Sequence, residues 1–323
     1  MEKISIKTIR RKTVLIVLFP FLYLTIFIFR ILPIRWVRRF AGFVGGRFYA
    51  LADKSRDRAL SNLNMVYGNE LSEEARINIA KSVFTEMIKS FFDYMAYSNV
   101  RDKKRYFSLI EVEGEEHLAE AYKQRKGVIC LIPHLSSWEF AAITPPMMGY
   151  ETSAASKAMK QQLLENMMVK FRGRRGMKNI TRENSYNKLL DVLRKGECLV
   201  LMIDQDTKVK SGFVDFLGKP AYTPLGAARL ALETGALVVP MVMTRKADDN
   251  YKFVIYPELP TVKTGDMEAD LLENTRQQTQ VMEDMVRKYP EQWVWMHPRW
   301  KTTPEMVAEY RKKKKEAQDN ILK

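Results

Sequence analysis

Five consecutive apolar residues, Val128 to Ile132, leave neither face of a strand polar, and the run stops at Pro133 and His134. A strand of that kind has both faces covered, which points to a sheet layered with helices. Ser136 and Ser137 are placed to cap a helix that Trp138 and Glu139 begin. The stretch therefore sets an imidazole at a strand's carboxyl end and a carboxylate in the first turn of the next helix. In open α/β sheets that edge is where ligands bind. A carboxylate nearby fixes an imidazole's tautomer and raises its basicity, as a general base requires. The plainer alternative is a hydrogen-bonded structural histidine, with Glu139 suiting the helix dipole. The chain has only three histidines, His117, His134 and His297.

From about Glu111 the pattern alternates between strands and helices. Strands are expected at Val128–Ile132, Thr152–Ala155, Cys198–Ile203, Leu237–Met243 and Tyr251–Tyr256. Helices are expected at Trp138–Met147, Lys160–Phe171, Ser185–Arg194, Leu225–Thr234 and Asp270–Tyr289, after an earlier helical region at Asp57–Met65 and Glu73–Tyr97. The fold class is α/β, a mixed, largely parallel sheet flanked by helices. A second strand ends in polar residues, Asp204-Gln205-Asp206-Thr207. If it lies parallel to the first, Asp204 emerges on the same edge as His134. Asp and Thr also start turns.

The net charge of +15 implies an anionic partner: nucleic acid, an anionic membrane surface or a phosphorylated substrate. No nucleic-acid motif is present, and an apolar amino-terminal segment explains the charge better through lipid. Thr13 to Phe29 is free of charge, at the short end of what spans a bilayer. Arginines and lysines flank both of its sides, so it reads as an anchor helix that either spans or lies in the membrane. A cleaved signal peptide competes, but no small-residue cleavage site follows directly. The two cysteines, Cys130 and Cys198, fall in expected buried strands and read as core residues. The basic run Arg311–Lys315 is a solvated end or a holder of anionic lipid.

Three further stretches stand out. Lys170-Phe-Arg-Gly-Arg-Arg175 offers a phosphate clamp. Phe213 to Gly218, followed by Tyr222 to Gly226, reads as an apolar loop feeding a helix amino terminus, a place for an acyl chain. Three tryptophans between Trp293 and Trp300 are core or meet the interfacial zone of a membrane.

Taken in order, these blocks resemble the bacterial lipid A late acyltransferases (the lauroyl/myristoyl transferase family), within the wider glycerolipid acyltransferase group. Arg58-Ala-Leu-Ser-Asn-Leu63 resembles the family's early helix, and His134-Leu-Ser-Ser-Trp-Glu139 its histidine, four residues, acidic motif. Asp204-Gln205-Asp206, Val214–Gly218 with Thr223 and Gly226, and Glu291–Trp295 with Arg299-Trp300 follow in the family's order. The chain departs where many members carry an Arg-Pro-like segment. Here Ser156-Lys-Ala-Met-Lys-Gln161 leaves Lys157 to supply charge without a bidentate fork.

The resemblance implies direct transfer of an acyl group from an acyl carrier protein thioester, or acyl-CoA, to a hydroxyl of a lipid A precursor. It implies His134 as general base, Glu139 orienting the imidazolium, and Arg172 with the Ser136–Trp138 amides steadying the oxyanion. Asp204 and Gln205 would order the site, Arg245 would hold substrate phosphate, and Lys157 and Thr223 would contact substrate. It implies no metal and no resident cofactor. Partners are acyl carrier protein, anionic membrane lipid and the lipid A precursor or another glycolipid, with no nucleic acid. The location implied is the inner membrane, catalytic domain on its cytoplasmic face. The domain plan is an anchor at 1–40, an acyltransferase domain at 41–302 and a basic tail at 303–323. Alternatives are the same chemistry on another glycolipid or an amino-lipid, and a lipid hydrolase or thioesterase that would release free acid. A metal enzyme using His134, Glu139, Asp204 and Asp206 would lose activity in chelator.

Overall fold

The computed structural model describes residues 23–97, 102–159, 161–181, 185–310 and 312. A helix over 23–31, α1, leads into α2 (Ile34–Leu51), α3 (Asp53–Tyr67), α4 (Glu73–Ala96) and the short α5 (Lys103–Phe107). Alternation follows: β1 (Ile110–Glu113), α6 (Glu115–Lys123), β2 (Val128–Leu131), α7 (Trp138–Met148), β3 (Thr152–Ser156) and α8 (Gln162–Gly173). Next come β4 (Met177–Thr181), α9 (Tyr186–Arg194), β5 (Cys198–Leu201), and the pair β6 (Ser211–Phe216) and β7 (Lys219–Pro224). The last elements are α10 (Gly226–Thr234), β8 (Leu237–Arg245), β9 (Tyr251–Ile255) and α11 (Met267–Lys288).

Seven strands form one sheet in the order β1-β9-β8-β2-β5-β3-β4. Five of them, β8, β2, β5, β3 and β4, run parallel. β9 turns back antiparallel to β8, and β1 pairs in parallel with β9. This is the mixed, largely parallel sheet that the apolar runs imply. Alternate residues of β2 feed two cores. Val128, Cys130 and Ile132 pack with Phe140, Met241 and Phe253, whereas Ile129 and Leu131 pack with Leu199, Trp293 and Trp295. Both cysteines are free and fully buried. The strands β1 and β4 carry too many polar residues to read as buried runs, because each lies at a sheet edge.

The stretch read as an apolar loop is the β6–β7 hairpin instead. Leu217 and Gly218 sit between its strands with φ of 53° and 71°. A two-residue turn with both φ values positive matches the twist of paired strands, and the side chains around it alternate. Thr223 therefore lies on a strand.

No described helix is long and apolar enough to cross a membrane, so the anchor helix expected from the sequence is not among the described elements. Of the run Thr13–Phe29, residues 13–22 lie outside the described residues. The remainder belongs to α1, where Ile26 and Phe29 are buried in the first core. The boundary drawn at residue 40 falls inside α2, whose Val37, Arg38 and Ala41 are buried. α2 packs closely on α4 because Gly45 has no Cβ; one placed there would lie 2.6 Å from the Thr85 Cα. Within the basic tail, residues 311 and 313–323 lie outside the described residues.

Candidate active site

Strand register builds the site. Leu131 of β2 is the Cα partner of Leu201 of β5. His134 and Asp204 each stand three residues beyond that pair, so the parallel strands deliver them side by side at the carboxyl edge. The His134 Nδ1 lies 2.7 Å from Asp204 Oδ1. The His134 backbone N–H donates to Asp204 Oδ2 at 2.7 Å, and the Trp293 indole N–H donates to the same oxygen at 2.9 Å. Asp204 is buried, which opposes its ionisation. The charge of His134 and these hydrogen bonds outweigh that and hold the carboxyl at about 2. With Nδ1 committed to a carboxylate, Nε2 is the nitrogen left to accept a proton.

Glu139 has a different partner from the one its spacing suggests. Arg172 Nε donates to Glu139 Oε2 at 3.0 Å, and Arg172 Nη2 donates to Oε1 at 2.6 Å, a two-pronged ion pair. Arg172 Nη1 donates to Asn179 Oδ1 at 2.9 Å. Burial works against this guanidinium, and the charge and hydrogen bonds of Glu139 overcome it, raising its pKa above the ordinary value. Among the described residues, three of the five N–H groups of Arg172 are thus taken and two remain. The physical reason for the exchange lies in α7. Glu139 sits in the first turn of α7, where Arg172 of α8 reaches it, whereas the imidazole meets Asp204 past the end of the neighbouring strand.

The loop carrying His134 is held from the carboxyl-terminal segment. The Ser136 N–H donates to the Gln292 carbonyl at 2.8 Å, the Val294 N–H donates to the His134 carbonyl at 3.3 Å, and Leu135 bridges Trp293. Ser136 accordingly has no amide free for an oxyanion. Ser137 gives α7 no side-chain cap, so its first-turn amides stay open beside the Trp138 ring, 5.5 Å from that of His134. Asn62 of α3 donates to the carbonyls of Trp295 and His297 at 2.8 and 2.9 Å, clamping that segment from below. The signal for Asn62 in the sequence is a polar residue on the buried helix face of Ala59 and Leu63. Trp293 and Trp295 are core residues with no exposure.

Arg245 is not a phosphate holder. It donates to Glu86, Asp93, Ser90, Tyr251 and the Asp249 carbonyl, which uses all five of its N–H groups, and its side chain is 2% exposed. Asp93 also receives Arg38 Nε at 3.1 Å, so this buried network ties α2 to α4 and β8. Thr223 is fully buried, donates to the Ala221 carbonyl and accepts from Arg299, so it does not face substrate. Lys157 is exposed just past β3, two strands from β2, and Gln205 is half-buried beside Asp204. In the basic stretch, Arg175 turns inward to the carbonyls of Phe171 and Tyr97 and is not available as a clamp.

A largely parallel sheet with a histidine–aspartate pair at its carboxyl edge and an arginine–glutamate pair beside it is an arrangement capable of acid–base chemistry. A sequence profile of the bacterial lipid A biosynthesis acyltransferases matches residues 6–302, and the chain belongs to that family. It is an acyltransferase. It is 29% identical over 274 residues to the lipid A biosynthesis palmitoleoyltransferase of Escherichia coli, covering 81% of this chain and 85% of that protein. It is 26% identical over 266 residues to the lipid A biosynthesis acyltransferase of Haemophilus influenzae, covering 82% and 81%. A phosphatidylinositol mannoside acyltransferase of Mycolicibacterium smegmatis is 25% identical over 207 residues, 62% of this chain and 65% of its own.

Proposed function

We propose that the protein moves a fatty acyl group from a carrier thioester, on acyl carrier protein or coenzyme A, to a hydroxyl of a lipid A precursor. The observation that carries this reading is the 2.7 Å contact between His134 Nδ1 and buried Asp204 at the open sheet edge. The acceptor hydroxyl gives its proton to His134 Nε2 as its oxygen attacks the thioester carbonyl. Asp204 stabilises the imidazolium so formed. The negative charge on the tetrahedral oxygen meets the open first-turn amides of α7 and the spare N–H groups of Arg172, whose orientation Glu139 sets. Collapse expels the thiolate, His134 returns the proton to it, and an ester and a free thiol leave. Within this mechanism Glu139 orients Arg172, and Asp204 orients His134.

The reading includes a membrane-bound enzyme on the cytoplasmic face of the inner membrane. Tyr23, Phe27 and Ile31 form one exposed stripe on α1, and Trp36, Phe40 and Phe43 another on α2. Exposed Arg35, Arg39 and Arg47 accompany them. Aromatic stripes beside arginines suit insertion into the interface of an anionic bilayer.

The test is transfer of labelled acyl groups from a set of acyl carrier protein thioesters to a tetra-acylated, Kdo-bearing lipid A precursor. A lipid product that vanishes in His134→Ala supports the reading. A product that survives in His134→Ala refutes the mechanism. The mycobacterial relative motivates one further arm with total membrane lipid as acceptor, which reports transfer to another glycolipid. Free acid in place of ester marks a hydrolase.

A further inference from the structure

β8 outlasts the strand beside it. Leu131, the last residue of β2, is the Cα partner of Pro240, and β8 continues to Arg245. Beyond that pair β2 no longer runs along this edge of β8, so the backbone groups there need other partners. Gln292 supplies one with its side chain. The Arg245 backbone N–H donates to Gln292 Oε1 at 2.8 Å, and Gln292 Nε2 donates back to the Arg245 carbonyl at 3.1 Å. Nε2 also reaches Glu291 Oε1 at 3.4 Å. A side-chain amide thus stands in for a peptide group of a neighbouring strand. Arg245 is a firm anchor, because its guanidinium is bound by Glu86, Ser90 and Asp93 of α4.

The main chain of Gln292 meets the loop of His134. Its carbonyl accepts the Ser136 N–H at 2.8 Å. Ser136 has a φ of 48°, in the left-handed region that a residue with a Cβ disfavours. Its own side chain does not hold it there: Ser136 Oγ is buried and has no hydrogen-bond partner among the described residues. The contact that holds the turn comes from Gln292. On one side of this strained residue lies His134, with its ring on Asp204, and on the other α7 starts at Trp138. Relaxation of Ser136 to a negative φ would redirect the chain between them and draw the imidazole off its carboxylate.

We propose that Gln292 is a positioning residue for acyl transfer: pinned to the end of β8 by its side-chain amide, it holds Ser136 in a left-handed turn through its carbonyl and so aims His134. It touches no reacting atom. The proposal rests on the reading of His134 as general base.

The experiment is a double-mutant cycle between Gln292→Glu and Ser136→Gly in the full chain, with kcat and KM for both substrates and unfolding curves alongside. A carboxylate cannot donate to the Arg245 carbonyl, so the substitution opens the pin and keeps the size of the side chain. With Ser136 in place, Gln292→Glu lowers kcat about ten- to a hundredfold, the cost of a base displaced by on the order of an ångström, while KM stays within about twofold. Glycine adopts a positive φ freely, so in the Ser136→Gly background the turn has no strain to release, and Gln292→Glu lowers kcat about threefold or less. Equal losses in the two backgrounds would make Gln292 a general support of the fold and overturn the proposal. A raised KM with kcat unchanged, or full activity in Gln292→Glu, would overturn it too. If Gln292→Glu does not fold, Gln292→Met, of similar length and without either hydrogen bond, enters the same cycle and is judged by the same comparison. A fully active His134→Ala defeats both this proposal and the general base, whereas equal losses beside an inactive His134→Ala defeat the role of Gln292 alone.

Discussion

Replacing Asp204 by Asn keeps the size of the side chain and removes its charge, which isolates what the carboxylate does for His134. In the native site that carboxylate accepts from the His134 ring, the His134 backbone N–H and the Trp293 indole. Asn has one oxygen for those donors, and its NH2 group faces the ring. The NH2 would then donate to Nδ1 and leave the proton on Nε2, the nitrogen that must be free. The imidazolium formed in the reaction would also lose its counter-charge. Two unit charges about 4 Å apart are worth about 4 kcal/mol at an effective dielectric constant of 20. That corresponds to a rate lower by roughly a thousandfold, before the tautomer penalty is added. The assay is single-turnover acyl transfer with thioester and acceptor both saturating, so that binding does not mask the chemical step. Unfolding curves show whether the variant is folded. Asp204→Asn that folds and keeps more than about a tenth of the rate would refute the pairing of Asp204 with His134 as the source of basicity.

Glu139→Gln should behave differently, losing about ten- to a hundredfold in kcat through a misaimed Arg172 with the acid limb of the pH profile unmoved; a displaced limb would return Glu139 to the imidazole. Changing Phe27, Trp36 and Phe43 together to Asp should cut binding to anionic vesicles by tenfold or more, as loss of three buried aromatic contacts implies. Equal retention by sedimentation would exclude the α1–α2 face as the attachment. The pH dependence of stability carries a signature of His297, which burial, the largest influence, lowers to about 4 from an ordinary 6.5. Its folded pKa lies below its unfolded one, so its contribution is present above pH 6.5 and is lost as pH falls toward 4. Discounted for partial exposure, the loss is on the order of 1 to 2 kcal/mol. Urea unfolding at pH 7 and pH 5 should show a smaller decline for His297→Asn than for wild type, and equal declines would count against it.

The strands that were legible are those buried on both faces. Val128–Ile132 and Cys198–Ile203 announce themselves because helices cover both sides of the sheet, and their polar ends mark its reactive edge. Which carboxylate serves His134 was less legible. Spacing places Glu139 five residues away in the chain, whereas Asp204 is brought in by the Leu131–Leu201 register, which depends on strand pairing. Arg245 misled for a related reason. It ends a strand at the reactive edge, but α4 answers it with Glu86, Ser90 and Asp93 on one helix face. Acidic and hydroxyl residues recurring on a helix face that is otherwise buried are the sequence sign of such a network. The β6–β7 hairpin was hidden because Leu217 adopts a positive φ that the residue type disfavours, so the turn carries a glycine at only one of its two positions. Asn62, Gln292 and Trp293 act through contacts between residues far apart in the chain, which local pattern does not report.

The grip of the carboxyl-terminal segment on the His134 loop has a consequence in time. A ribosome that has released residues up to about 260 has supplied every strand of the sheet, with both His134 and Asp204 among them. It has not yet supplied the Gln292 carbonyl that receives Ser136, the Val294 amide that meets His134, or the Trp293 indole that meets Asp204. Domains assemble from the amino-terminal side during synthesis, so the sheet has the opportunity to form first. The nascent chain thus carries the His134–Asp204 pair well before it carries the segment that holds it, and the geometry of the pair is completed only when residues 292–294 arrive.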